Sequence, residues 1–254
     1  MSTVIYYFSA TGNCLTTAKR LAAGLGDCRL IPVASTKHLA KIVEGADAVG
    51  FVFPVYYSDM PYPVREMICK MVFKPEAYIF AVSTCKGHFG NVSDRLELLL
   101  RTRGTKLSLY RNVPMPGNSF LDEPEKVTVK LQEQYANTDA LLPLIRDKLT
   151  EDYIVTTVPE LRPVSWPNNF RGIEAEDNCI GCGTCVKVCP MENIRIENGK
   201  AIIGDECATC LSCFHWCPVK AIWMSKQENI ARRDIYRHPE ITLEDIVHQK
   251  HDQG

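Results

Sequence analysis

Short apolar runs alternate with segments of helical period through the first 150 residues. Thr3 to Phe8 is a β-branched and aromatic run, followed at once by Ser9-Ala10-Thr11-Gly12-Asn13-Cys14. Leu15, Ala18, Leu21, Ala22 and Leu25 then recur at the spacing of one helix face, and Gly26 stops the pattern. Further strands are predicted at Arg29 to Val33, Ala48 to Phe53, Tyr78 to Ser83 and Lys106 to Val113. Helices are predicted over about 37–44, 62–72, 91–103 and 124–150. The run Ala48-Val49-Gly50-Phe51-Val52-Phe53 has no polar face, as expected of a strand in a parallel sheet covered on both sides. A doubly wound five-stranded α/β sheet follows. Its ligands would sit beyond the carboxyl ends of the strands, on the loops after the first, third and fourth.

Beyond residue 157 the pattern changes. Val158 to Phe170 holds three prolines and Asn168-Asn169, with Trp166 and Phe170 as apolar anchors, and reads as a linker pinned to a surface. Ile194-Arg195-Ile196 and Ala201-Ile202-Ile203 flank Glu197-Asn198-Gly199-Lys200, a predicted hairpin turning at Asn-Gly. The expected divisions are a sheet domain over 1–157, the linker over 158–170, a small α+β domain over 171–225 and a tail over 226–254. The tail is polar, with a helical stretch around Leu243 to His248, and is expected to lie against the sheet domain.

Cysteine usage settles the chemistry of the small domain. Eight of the twelve cysteines form Cys179-x2-Cys182-x2-Cys185-x3-Cys189-Pro190 and, 28 residues later, Cys207-x2-Cys210-x2-Cys213-x3-Cys217-Pro218. Ile194 repeats as Ile222 at the same offset, the mark of a duplicated unit. In this spacing the first three thiolates of a run bind one iron-sulfur cubane and the fourth binds the other. Cys179, Cys182, Cys185 and Cys217 are therefore expected to hold one [4Fe-4S] cluster, and Cys207, Cys210, Cys213 and Cys189 the second. Structural zinc has no use for a third and fourth cysteine in each run, and disulfides need an oxidising compartment. Of the other four, Cys14, Cys28 and Cys69 have no mutual ligand spacing, and Cys85 is a candidate thiol.

With 254 residues and a net charge of -1, nothing invites nucleic acid or an anionic membrane. Residues 1–165 carry 19 Lys+Arg against 17 Asp+Glu, and residues 166–254 carry 10 against 13. Each oxidised cubane with four thiolates adds about -2, so the loaded C-terminal module is acidic, which suits docking on a basic redox partner as well as ordinary solubility. No run approaches the roughly 18 apolar residues of a membrane span, and Met1 to Ala10 lacks a basic leader segment. The expected location is the cytoplasm.

The loop after the first strand offers main-chain N–H groups at a helix N-terminus, where a phosphate fits. It is neither a dinucleotide fingerprint nor a Walker loop. Tyr7-Phe8-Ser9-Ala10-Thr11-Gly12-Asn13, followed by Ala18 and Leu21, resembles the flavin mononucleotide (FMN) phosphate loop of flavodoxins. That family usually has Thr or Ser where this chain has Cys14, a weaker donor. The resemblance implies that Ser9, Ala10, Thr11, Gly12, Asn13 and Cys14 hold the phosphate. It further implies that Pro54, Val55, Tyr56, Tyr57 and Ser58 line the flavin ring, with Tyr56 or Tyr57 stacked on it and the other in the core. Flavodoxins commonly place near Ser58 a glycine whose peptide bonds the reduced flavin. Thr84, Cys85, Gly87, His88, Phe89 and Gly90 complete the expected site, His88 without a catalytic role.

The whole arrangement resembles the fused flavodoxin-ferredoxin family of anaerobic prokaryotes, Val113-Pro114-Met115-Pro116-Gly117-Asn118 and Tyr236-Arg237-His238-Pro239-Glu240-Ile241-Thr242-Leu243 included. The resemblance implies an electron-transfer protein relaying between two [4Fe-4S] clusters and FMN, with a redox protein as partner. No acid/base pair or nucleophile stands out, so no residue is assigned as catalytic. The alternative is a flavin-dependent reductase of a small molecule, fed by the clusters.

Overall fold

The computed structural model describes residues 2–87, 89–118, 122–153, 172–224 and 235–250. His88 and the predicted linker 158–170 lie outside the described residues. The first seven strands are β1 (Thr3–Tyr7), β2 (Cys28–Pro32), β3 (Ile42–Glu44), β4 (Ala48–Pro54), β5 (Met71–Phe73), β6 (Tyr78–Cys85) and β7 (Leu109–Pro114). Five of them make one parallel sheet in the order β2-β1-β4-β6-β7. Counting the sheet's own strands, the order is 2-1-3-4-5, that of flavodoxin-like folds, with the switch point between β1 and β4.

Both faces of the sheet are covered because alternate residues serve opposite cores. Val4, Tyr6, Phe8, Val49, Phe51, Phe53 and Ile79 belong to one core, with Val64, Met67 and Ile68 of α2 (Tyr62–Lys70) and Leu96 and Leu100 of α3 (Val92–Thr102). Ile5, Tyr7, Val52, Phe80 and Val82 belong to the other, with Leu15, Ala18 and Leu21 of α1 (Asn13–Leu25).

Two helix expectations need correction. The helix over 37–44 is absent; Ile42–Glu44 is instead a strand paired in parallel with Met71–Phe73. Its burial alternates, with Ile42 and Glu44 buried and Val43 exposed. The Glu44 carboxylate is buried because it accepts from Tyr6 Oη at 2.7 Å and from the Ala46 N–H at 2.8 Å. The stretch 124–150 divides into α4 (Pro124–Asp139) and α5 (Leu141–Arg146). Pro143 has no N–H for the carbonyl four residues back, so the ladder breaks where α4 ends.

The small domain contains β8 (Ile173–Ala175), α6 (Thr184–Val188), β9 (Ile194–Glu197), β10 (Lys200–Ile203), α7 (Ser212–Trp216) and β11 (Ile222–Met224). β9 and β10 are the expected hairpin, with Asn198 and Gly199 at φ 49° and 74°, and β8 pairs antiparallel with β11. Residues 235–250 cross both domains and end in α8 (Leu243–Val247). Its capping box has Asp245 N donating to Thr242 Oγ1 at 3.2 Å and Thr242 N donating to Asp245 Oδ2 at 2.9 Å. Lys19 of α1 pairs with Asp245 at 2.7 Å, and Lys250 Nζ donates to the Val186 carbonyl at 2.7 Å. Among the described residues no helix is long and apolar enough to cross a membrane.

Candidate cofactor sites

A cleft opens at the carboxyl end of the sheet, over the switch point. Its empty volume is about 590 Å³, the open mouth included. The walls are residues 9–11, 13 and 14 after β1, 54–56 at the end of β4, 84–86 at the end of β6 and 115–118 after β7. Three predicted loops thus converge. Lys86 and the segment Met115–Asn118 were missed, although the end of the sheet's last strand is where the chain would be expected to return to the site. Of the other predicted residues, Gly12, Tyr57, Ser58, Gly87, Phe89 and Gly90 stand outside these walls.

The loop after β1 is held from within and behind. The Gly12 N–H donates to Ser9 Oγ at 3.2 Å, while the Ser9 N–H is taken by Gln249 Oε1 at 3.2 Å. Among the described residues the N–H groups of Thr11, Asn13 and Cys14 meet no protein acceptor. These orphan donors at the start of a 13-residue helix are what an anion requires. Cys14 Sγ lies 3.1 Å from Thr84 Oγ1, and burial pushes its thiol up to about 12, so it remains a neutral side chain in the wall.

Tyr56 is buried in the cleft wall, whereas Tyr57 is 56% exposed at the tip of a tight turn. The N–H of each of Tyr56 and Asp59 donates to the other's carbonyl, at 2.9 and 3.0 Å. Tyr57 and Ser58 between them have φ of 53° and 62°, the two positive values that a two-residue I′ turn requires. Asp59 Oδ2 anchors the turn by accepting from Arg65 at 3.0 Å and Arg95 at 2.9 Å. Each left-handed residue costs about 1 kcal/mol. Ser58→Gly is accordingly expected to raise stability by about 0.5–1 kcal/mol, seen as a higher urea midpoint with an unchanged slope. A lower midpoint would show that the serine side chain contributes more than its backbone costs.

The eight motif cysteines fall into two sets. Cys179, Cys182, Cys185 and Cys217 line one small cavity, and Cys189, Cys207, Cys210 and Cys213 line another. The fourth cysteine of each run thus stands with the first three of the other. Main-chain N–H groups aim at the sulfurs: Asn193 at Cys189 (3.4 Å), Ala221 at Cys217 (3.2 Å) and Thr209 at Cys207 (3.3 Å). Among the described residues no three His, Cys, Asp or Glu side chains converge on a single metal ion, and each cysteine set surrounds a small cavity. Left-handed backbone recurs at the 28-residue offset, at Gly181 and Thr209, Gly183 and Leu211, and Glu192 and Lys220. The sets differ in depth. Cys182 is exposed, its thiol held below the ordinary value by Thr184, while burial keeps the thiols of Cys210 and Cys213 well above it.

The second set adjoins the cleft. The Ala10 carbonyl accepts from Trp216 Nε1 at 2.9 Å and from Ser212 Oγ at 3.3 Å, which seats α7 on the loop after β1. Asn118, in the cleft wall, donates through Nδ2 to the Cys210 carbonyl at 3.3 Å. The buried His215 ring bonds at both nitrogens: Nδ1 accepts from the Tyr236 N–H at 3.1 Å, so Nε2–H donates to the Asn118 carbonyl at 2.9 Å. Burial above all, then the adjacent Cys210 and Cys14, raises the Tyr56 hydroxyl far above its ordinary pKa. Among the described residues that hydroxyl, though near Asn118, makes no well-formed hydrogen bond, leaving a buried polar atom at the seam between cleft and cysteines.

Residues 178–234 match the family described as a 4Fe-4S dicluster domain. A ferredoxin of Pyrobaculum islandicum is 40% identical over 72 residues, 26% of this chain and 67% of the relative. A ferredoxin of Methanothermococcus thermolithotrophicus is 40% identical over 50 residues, 18% of this chain and 83% of that protein. Among solved structures, a flavodoxin from the domain Archaea aligns at 14% identity with a TM-score of 0.35, covering 57% of this chain and 99% of the other. At that similarity the flavodoxin-like assignment stands on the strand order itself. With a domain of that order ahead of a module belonging to the ferredoxin family, the chain is an iron-sulfur electron-transfer protein of the fused flavodoxin-ferredoxin type.

Proposed function

We propose that the protein relays electrons between two [4Fe-4S] clusters and a bound FMN. Cys179, Cys182, Cys185 and Cys217 would hold the outer cluster, and Cys189, Cys207, Cys210 and Cys213 the inner one. The N–H groups of Thr11, Asn13 and Cys14 would hold the FMN phosphate, with the ring along 54–56 and 84–86, and Tyr57 would stack on it. The clusters carry single electrons and the flavin one or two, so the set joins one-electron to two-electron chemistry.

The observation that carries this reading is the bond from Asn118 to the Cys210 carbonyl, which joins the cleft wall to a ligand of the inner cluster without an intervening residue. The chain's own work is then positional. α7 fixes the inner set against the phosphate loop, and the exposed Cys182 leaves the outer set facing a redox partner.

Rapid mixing of the anaerobic, fully loaded protein with a one-electron reductant tests this. Flavin reduction is expected at a rate independent of protein concentration. A rate proportional to concentration would mean transfer between molecules and would sink the internal relay. A protein that binds no flavin after reconstitution would sink the flavin half of the reading.

A further inference from the structure

We propose that Tyr236 is a positioning residue for the flavin phosphate, acting through Asn13 and tying that hold to the seating of the inner cysteine set. The inference rests on the reading that residues 9–14 receive the phosphate of FMN. Tyr236 is not among the residues that wall the cleft. Its hydroxyl donates to Asn13 Oδ1 at 2.7 Å, and Asn13 Nδ2 donates to the Pro116 carbonyl at 2.9 Å. Both ends of the Asn13 amide are therefore committed to the framework. The side chain clamps the first turn of α1, and the main-chain N–H groups of Asn13 and Cys14 are left for a ligand.

The same tyrosine reaches the other way. Its main-chain N–H donates to Nδ1 of His215, which stands on α7 between Cys213 and Cys217. Two residues on, the His238 N–H donates to the Thr11 carbonyl at 2.7 Å, and the His238 ring lies 3.2 Å from Thr16 Oγ1 and 2.8 Å from Gln134 Oε1. Residues 236–238 thus fix the phosphate loop by its side chain and its carbonyl while gripping the helix that bears the cysteines. Burial pushes the Tyr236 hydroxyl well above its ordinary pKa, so it stays a donor at any working pH.

The test uses the full chain with its clusters reconstituted, titrated separately with FMN and with riboflavin, which lacks the phosphate. Tyr236→Phe removes one buried hydrogen bond, and the FMN Kd is expected to rise about tenfold. Riboflavin affinity should stay within about twofold and iron content should not change. In an Asn13→Ala background, Tyr236→Phe should add nothing further, because a residue acting through another has no effect once that other is gone. Parallel weakening of both flavins, full additivity with Asn13→Ala, or an unaltered FMN Kd would each overturn the proposal. A wild-type protein that binds riboflavin as tightly as FMN, or neither, fails at the phosphate site itself. That result is separable from one in which the wild type prefers FMN and the variant matches it.

Discussion

Replacing Cys217 by Ser is expected to halve the iron and acid-labile sulfide of the anaerobically reconstituted protein, from about eight of each per chain to about four. The side chain lost would be the one standing with Cys179, Cys182 and Cys185, although in sequence it closes the run of Cys207, Cys210 and Cys213. Its sulfur is buried and accepts the Ala221 N–H, and a serine oxygen is a poor substitute for thiolate toward iron. Double variants show which cluster is gone. If Cys217 and Cys182 serve the same cluster, the pair Cys217→Ser with Cys182→Ser keeps about four irons, while Cys217→Ser with Cys210→Ser keeps none. The reverse pattern would refute crossed ligation, and zinc in place of iron would refute the clusters altogether.

Gly12→Ala is expected to damage the stability of the flavodoxin-like domain and its candidate flavin site together. Gly12 has φ of 104°, which L side chains rarely adopt, and an added Cβ would lie 2.7 Å from Cβ of His238 and 2.8 Å from Ile241. Backbone strain and the collision together should cost roughly 2–4 kcal/mol. Because the collision is with residues 238–241, the C-terminal segment must lift from the loop or the loop must deform. Either way the donors at 11, 13 and 14 move. Urea unfolding should show the loss of stability, and an FMN titration at least a tenfold weaker Kd. An alanine variant with wild-type midpoint and affinity would mean that the segment and loop adjust freely, contrary to the close contact described.

Legibility in the sequence followed how local the determinants were. The strand, loop and helix from Thr3 to Leu25 were readable because apolar period, small residues and Gly26 lie within one continuous stretch. The cysteine sets were readable because ligand spacing is itself sequence. The strand at Ile42–Glu44 was not, since Lys37 to Glu44 carries too few apolar positions to separate a period of two from one of 3.6, and its partner lies at Met71–Phe73. Which tyrosine is buried depends on a turn closed by Asp59 and held by Arg65 and Arg95 from two helices. The bond between Asn13 and Pro116, and the grip of Tyr236 and His238 on the loop after β1, join residues more than a hundred positions apart. No local pattern encodes such pairs.

The two cysteine halves began alike and are no longer interchangeable. Where the first half has Gly181 and Gly183 in the left-handed region, the second has Thr209 and Leu211, conformations glycine would adopt at less cost. Leu211 and Trp216 are buried, and Ser212 and Trp216 both bond the Ala10 carbonyl, whereas Thr184 is only half-buried and Lys187, the counterpart of His215, faces solvent. A chimaera carrying the first half twice would relax those backbone positions. It would also lose the indole, hydroxyl and imidazole that seat the module on its neighbour. The second half thus serves as an adaptor to the sheet domain as well as a cysteine set.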